Sequence, residues 1–157
     1  MAWDGSATAA EVQEALTRHE AAGTTDDPAY QEAMQVFYRR HVCRLDPWPD
    51  DVVRSFALME EDPTVYGTMN GPSEFHVIGT IRDWDITARL GEIAVPTLLV
   101  SGRHDEATPR IVEEMRDRIP GAEWVLFEDS SHMPHVEEPE AFLDAVGGFL
   151  TRVDDAA

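Results

Sequence analysis

The sequence contains no lysine. All 12 of its basic side chains are arginine, and against them stand 31 acids, for a formal net charge of −19 over 157 residues. A surface this acidic repels nucleic acid and anionic lipid, so neither is expected as a partner. It suits cationic ligands such as free amino termini, or simply a solvated acidic surface that aids solubility. Cysteine is nearly absent too: Cys43 stands alone, which excludes an internal disulfide and fits a reducing compartment. No apolar run approaches the roughly 18 residues that suggest a membrane span. The first residues carry no basic n-region followed by an apolar h-region, so no secretory signal is expected and a cytoplasmic location is. Repeats and low-complexity tracts are also missing.

What is present falls into two regions, 1–90 and 91–157. The first reads as short helices separated by turns. Val12, Ala15 and Leu16 share a face over Glu11 to Glu20. Asp27-Pro28 caps and opens a second helix to about Val42, with Met34, Phe37, Tyr38 and His41 at helical spacing. Asp46-Pro47-Trp48-Pro49-Asp50 breaks the chain, and a third helix is expected over Asp51 to Glu61. No strand is evident before about residue 96. Beyond it the pattern changes: strand (Thr97 to Val100), helix (from Thr108-Pro109, with Ile111, Val112, Met115 and Ile119 on one face), strand (Trp124 to Phe127). A last helix opens at Pro139, with Phe142, Val146, Phe149 and Leu150 on one side. Strand, helix, strand, helix predicts parallel strands joined by a crossover. Two parallel strands are not a finished sheet, so the fold class is α/β with an incomplete parallel sheet.

Each of the two strands runs into a polar turn. The first turn, Ser101-Gly102-Arg103-His104-Asp105-Glu106-Ala107-Thr108-Pro109, carries Asp105. The second, Asp129-Ser130-Ser131-His132-Met133-Pro134-His135, carries His132, 27 positions later. Parallel strands present an orienting acid and a general base in this way at their carboxyl ends, and Asp before His is the α/β-hydrolase order. Alongside these turns stand Asn70-Gly71-Pro72-Ser73-Glu74-Phe75, Gly79-Thr80-Ile81-Arg82-Asp83-Trp84-Asp85 and the segment Tyr38-Arg39-Arg40-His41-Val42-Cys43-Arg44. Together they make the chain, from about residue 10 onward, closely resemble the carboxyl-terminal half of the proline iminopeptidase branch of α/β-hydrolases: a helical cap, then β-α-β-α. The resemblance implies a serine exopeptidase that releases an amino-terminal proline or small apolar residue through an acyl-enzyme. It implies Asp105 and His132 as triad members, Glu74 and Glu106 as carboxylates gripping the α-amino group of a peptide or aminoacyl amide, and no metal or organic cofactor.

The chain departs from that family in two respects. None of its six serines lies in a G-x-S-x-G elbow; Ser73 comes nearest, but Pro72 precedes it, Phe75 follows it and no strand leads into it. The Gly- and Pro-rich oxyanion loop is missing too. The expectation is therefore a fragment, inactive by itself, with Met1 an internal start or fragment boundary. An uncovered edge of the Thr97 to Val100 strand is expected to favour self-association or pairing with a complementary fragment. Rival readings are another α/β-hydrolase acting on amides, esters or epoxides, and a non-catalytic module. Read for structure alone, Asp105 caps a helix and His132 sits in a turn, while Glu74 and Glu106 are solvated acids. His132-x-x-His135 with Glu137 and Glu138 has the composition of a metal site, but Pro134 interrupts it. The runs Glu60-Glu61-Asp62 and Glu137-Glu138 read most simply as solvated faces. Cys43 reads as an inert, half-buried thiol in a cap helix.

Overall fold

The computed structural model of the protein describes residues 8–156. Its chain divides into two units: one runs to Arg40 and resumes over Leu45–Trp84, and the other comprises His41–Arg44 and the chain from Asp85 onward. Residues 85–90, grouped by sequence with the helical region, lie in the second unit. There Thr87–Glu92 forms a 3-10 turn that packs on helix α5 (Pro109–Arg118) and buries Leu90.

The first unit is helical. Helix α1 (Ala9–Ala22) starts at a capping box, in which the Thr8 hydroxyl accepts the Glu11 N–H and the Glu11 carboxylate accepts the Thr8 N–H. It ends on Gly23 in the left-handed region, which favours a residue without a Cβ. Helix α2 (Pro28–His41) opens at Pro28, after Asp27 accepts the Ala29 N–H. It buries Tyr30, Ala33, Met34, Val36 and Tyr38, while Phe37 and His41, expected on the same face, are only half-buried. Helix α3 (Asp50–Glu61) buries only Val52, and a short α4 (Thr64–Met69) follows that the sequence pattern does not predict. Six residues beginning at a Pro-Thr start are too few for a periodic signal to stand out.

The second unit carries the sheet. Strands β1 (Leu98–Gly102) and β2 (Glu123–Phe127) run parallel, with Leu98 opposite Glu123 and Gly102 opposite Phe127. Helix α5 joins them and packs against both. Val112 and Ile119 face inward, but Ile111, expected on the same face, is exposed. A four-residue helix α6 (Pro134–Glu137) leads into α7 (Pro139–Asp155). No residue of α7 is fully buried; Leu143 is 68% and Leu150 53% exposed. Among the described residues β1 and β2 pair only with each other, so each keeps one open edge. No described helix is long and apolar enough to cross a membrane.

Candidate active site

The parallel register decides where the two polar turns lie. Because Gly102 faces Phe127, both strands end at the same level, and their turns leave the sheet side by side. The Arg103 N–H continues the ladder to the Phe127 carbonyl at 2.8 Å, and the His104 N–H reaches the Ser130 carbonyl at 3.0 Å. This close approach needs Gly102: a Cβ there would collide with the carbonyl oxygens of Ser130 and Ser131.

Asp105 and His132 meet at this edge. His132 Nδ1 lies 2.9 Å from Asp105 Oδ1. A carboxylate can only accept, so Nδ1 carries the proton, and Nε2 is the nitrogen equipped to take another. The Asp105 side chain is 6% exposed and that of His132 is 49% exposed. Asp105 Oδ1 also accepts the Ala107 N–H at 2.9 Å, which locks the carboxylate's orientation. A buried, fixed acid holding a solvent-facing imidazole in one tautomer is the arrangement that the acid–base half of a nucleophilic triad requires. Glu106, next in the chain, is half-buried.

Both turns are braced by His41 and by Glu137 and Glu138, the last two expected to face solvent. His41 Nδ1 donates to the His104 carbonyl at 2.9 Å. The Glu137 carboxylate accepts the N–H of Ser131 at 2.8 Å and that of Arg44 at 2.7 Å. Glu138 accepts from the Ser130 hydroxyl and the Asp129 N–H. The Glu137-Glu138 pair is therefore not a solvated face. Cys43 is likewise corrected: it lies past the end of α2 and is fully buried.

In the first unit, Glu74 is half-buried and lines a cavity of about 390 Å³. Tyr38, Trp48, Phe56 and Tyr66 supply aromatic walls, and Glu60 a second carboxylate. The Trp48 and Phe56 rings lie 5.2 Å apart, and the Tyr38 and Phe56 rings 5.7 Å. The Glu74 N–H donates to the Tyr38 hydroxyl at 3.3 Å. Burial pushes the Tyr66 phenol far above its ordinary pKa, and the adjacent Glu74 carboxylate pushes the same way. Glu60 is exposed, as its place in an acidic run predicts, and it also borders this cavity. Ser73 is fully buried, with its Oγ 3.0 Å from the Tyr30 hydroxyl.

Comparison with known proteins identifies the family. A model of the alpha/beta hydrolase family matches residues 2–145. The proline iminopeptidase of Saccharolobus solfataricus is 40% identical over 138 residues, 88% of this chain and 44% of that protein. Among solved structures, VinJ is 52% identical with a TM-score of 0.86, covering 91% of this chain and 48% of its own. The proline iminopeptidase of Mycobacterium smegmatis is 49% identical with a TM-score of 0.84, covering 95% of this chain and 50% of its own. The chain thus spans about half the length of these relatives, and the curated ones match it through their carboxyl-terminal half. It belongs to the α/β-hydrolase family and resembles that family's proline iminopeptidase branch.

Proposed function

We propose that this chain is the base-bearing half of a serine exopeptidase that removes an amino-terminal proline or small apolar residue from peptides or aminoacyl amides. The observation that carries the reading is the 2.9 Å bond between a buried Asp105 and a solvent-facing His132 at the ends of parallel strands. A serine from the nucleophile-bearing half attacks the first peptide carbonyl, and His132 Nε2 takes its proton. The imidazolium, stabilised by Asp105, then protonates the leaving amine. Water, deprotonated by the same nitrogen, hydrolyses the acyl-enzyme and regenerates the serine.

Recognition of a free α-ammonium is assigned to Glu74 and Glu106. An exopeptidase must tell a charged amine from an internal amide, and partly dry carboxylates make that distinction. A carboxylate among aromatic rings suits a cation carrying a small apolar body, since ring faces attract cations as well. By itself the chain is proposed to be inactive. Losing a nucleophile and an oxyanion hole removes many orders of magnitude.

The test is a chimera in which this chain replaces the matching half of the Saccharolobus solfataricus enzyme. Prolyl and alanyl amides should be hydrolysed, and their N-acetylated forms should not. D105N should lower kcat by on the order of 10⁴-fold, while E74Q and E106Q should chiefly raise KM. Equal turnover of blocked and free substrates would move the assignment to another hydrolase chemistry. Measurable turnover by the 157-residue chain alone would overturn the inactivity.

A further inference from the structure

Resting on His132 as the general base, we propose that Glu137 is its positioning residue: it clamps the backbone on both sides of His132, so that the ring stays against Asp105. The Glu137 carboxylate collects donors from two segments of the second unit, the 131–133 turn and Arg44. Oε2 accepts the Ser131 N–H at 2.8 Å and the Met133 N–H at 3.3 Å, the residues immediately before and after His132. Oε1 accepts the Arg44 N–H at 2.7 Å, which ties the turn to the His41–Arg44 segment. The Ser131 hydroxyl donates across both oxygens, at 2.9 and 3.0 Å.

Glu138 extends the clamp to the Ser130 hydroxyl and the Asp129 N–H, and the Ser130 carbonyl is taken by His104 N–H. Positions 129, 130, 131 and 133 are each held, while the His132 ring is held by Asp105. Backbone N–H groups bonded to a half-buried carboxylate make charge-assisted bonds, roughly twice as strong as neutral ones. Glutamine keeps the shape but has one oxygen. It would turn an NH₂ toward either Arg44 N–H or the Ser131 and Met133 N–H pair, opposing donor to donor. Placement of the base to within a fraction of an ångström matters, since a misplacement of about 1 Å can cost on the order of 10²-fold in rate.

The experiment reads the ring directly, in the whole 157-residue chain with ¹⁵N-labelled histidine. Unaltered protein should show His132 as a single Nδ1–H tautomer with a low-field Nδ1 proton. E137A should lose that proton to exchange and give a tautomer mixture while the amide signals of β1 and β2 stay native; E137Q should give a partial loss. E128A, which removes only an exposed partner of Arg103, serves as the control and should change nothing. In the chimera, E137A should lower kcat about 10²-fold with KM little altered. Native His132 signals in a folded E137A would overturn the proposal. If E137A does not fold, E137Q decides: unaltered signals overturn the proposal and a partial loss supports it. An unaltered chain with no Nδ1–H tautomer, unaffected by D105N, would overturn the general-base reading itself and the proposal with it.

Discussion

A phenol and a carboxylate at one cavity wall give the first unit a pH dependence with a definite sign. Burial, then the charge of Glu74, raises the Tyr66 pKa; burial also raises that of Tyr30, whose hydroxyl meets Ser73. In the unfolded chain both phenols ionise near pH 10. Between that value and their raised folded values, the folded state holds protons that the unfolded state has released. Stability is therefore fully present below about pH 10 and falls as pH rises beyond it. Denaturant midpoints measured from pH 8 to 11 should fall at the alkaline end, and Y66F should flatten that fall. A midpoint insensitive to pH in this range would show that Tyr66 is not shielded as described. At the same scale Asp105 and His132 were legible because each follows an apolar run in a recognisable order. The roles of Glu137 and Glu138 were not, since a carboxylate that caps backbone donors and one that faces water have the same local sequence.

At the scale of elements, the junction of β1 with the two turns depends on a single small residue. An added Cβ at Gly102 meets main-chain oxygens of Ser130 and Ser131, which cannot rotate aside as a flexible side chain would. G102A should destabilise the protein by about 1–3 kcal/mol, the usual cost of overpacking, and should also disturb the His132 ring signals. Wild-type denaturant midpoints in G102A would refute so close an approach of the turns. Helices α1, α2, α3, α5 and α7 and both strands were readable from periodicity, proline starts and glycine stops, with ends within a few residues. Helices α4 and α6 and the 3-10 turn escaped because four to six residues do not complete enough turns to display a period. Exposure of Ile111 and Leu150 also escaped, because periodicity identifies an apolar face but not whether another element covers it.

For the whole molecule, two forces oppose each other. The open strand edges and exposed Leu143 and Leu150 favour association of copies of this chain, whereas a net charge of −19 drives them apart. Charge repulsion between exposed groups is screened over about 10 Å at 0.1 M salt, while apolar burial persists. Self-association, proposed here to run through the open edge of β1, should therefore increase with salt and with concentration. Light scattering at 0.02 and 0.5 M NaCl is the measurement. Dissociation at high salt would point instead to Arg–carboxylate pairs as the adhesive.

By itself the sequence determined the order of helices and strands, the family, the acidic surface and the two residues at the strand ends, because each depends on short-range pattern or composition. Tertiary structure alone decided that Gly102 stands opposite Phe127, that Asp105 is buried while His132 faces solvent, and that Glu137 gathers N–H groups from residues 44, 131 and 133. Those outcomes depend on strand register and on contacts across as many as 93 positions. No local preference along the chain encodes a pairing between segments so far apart.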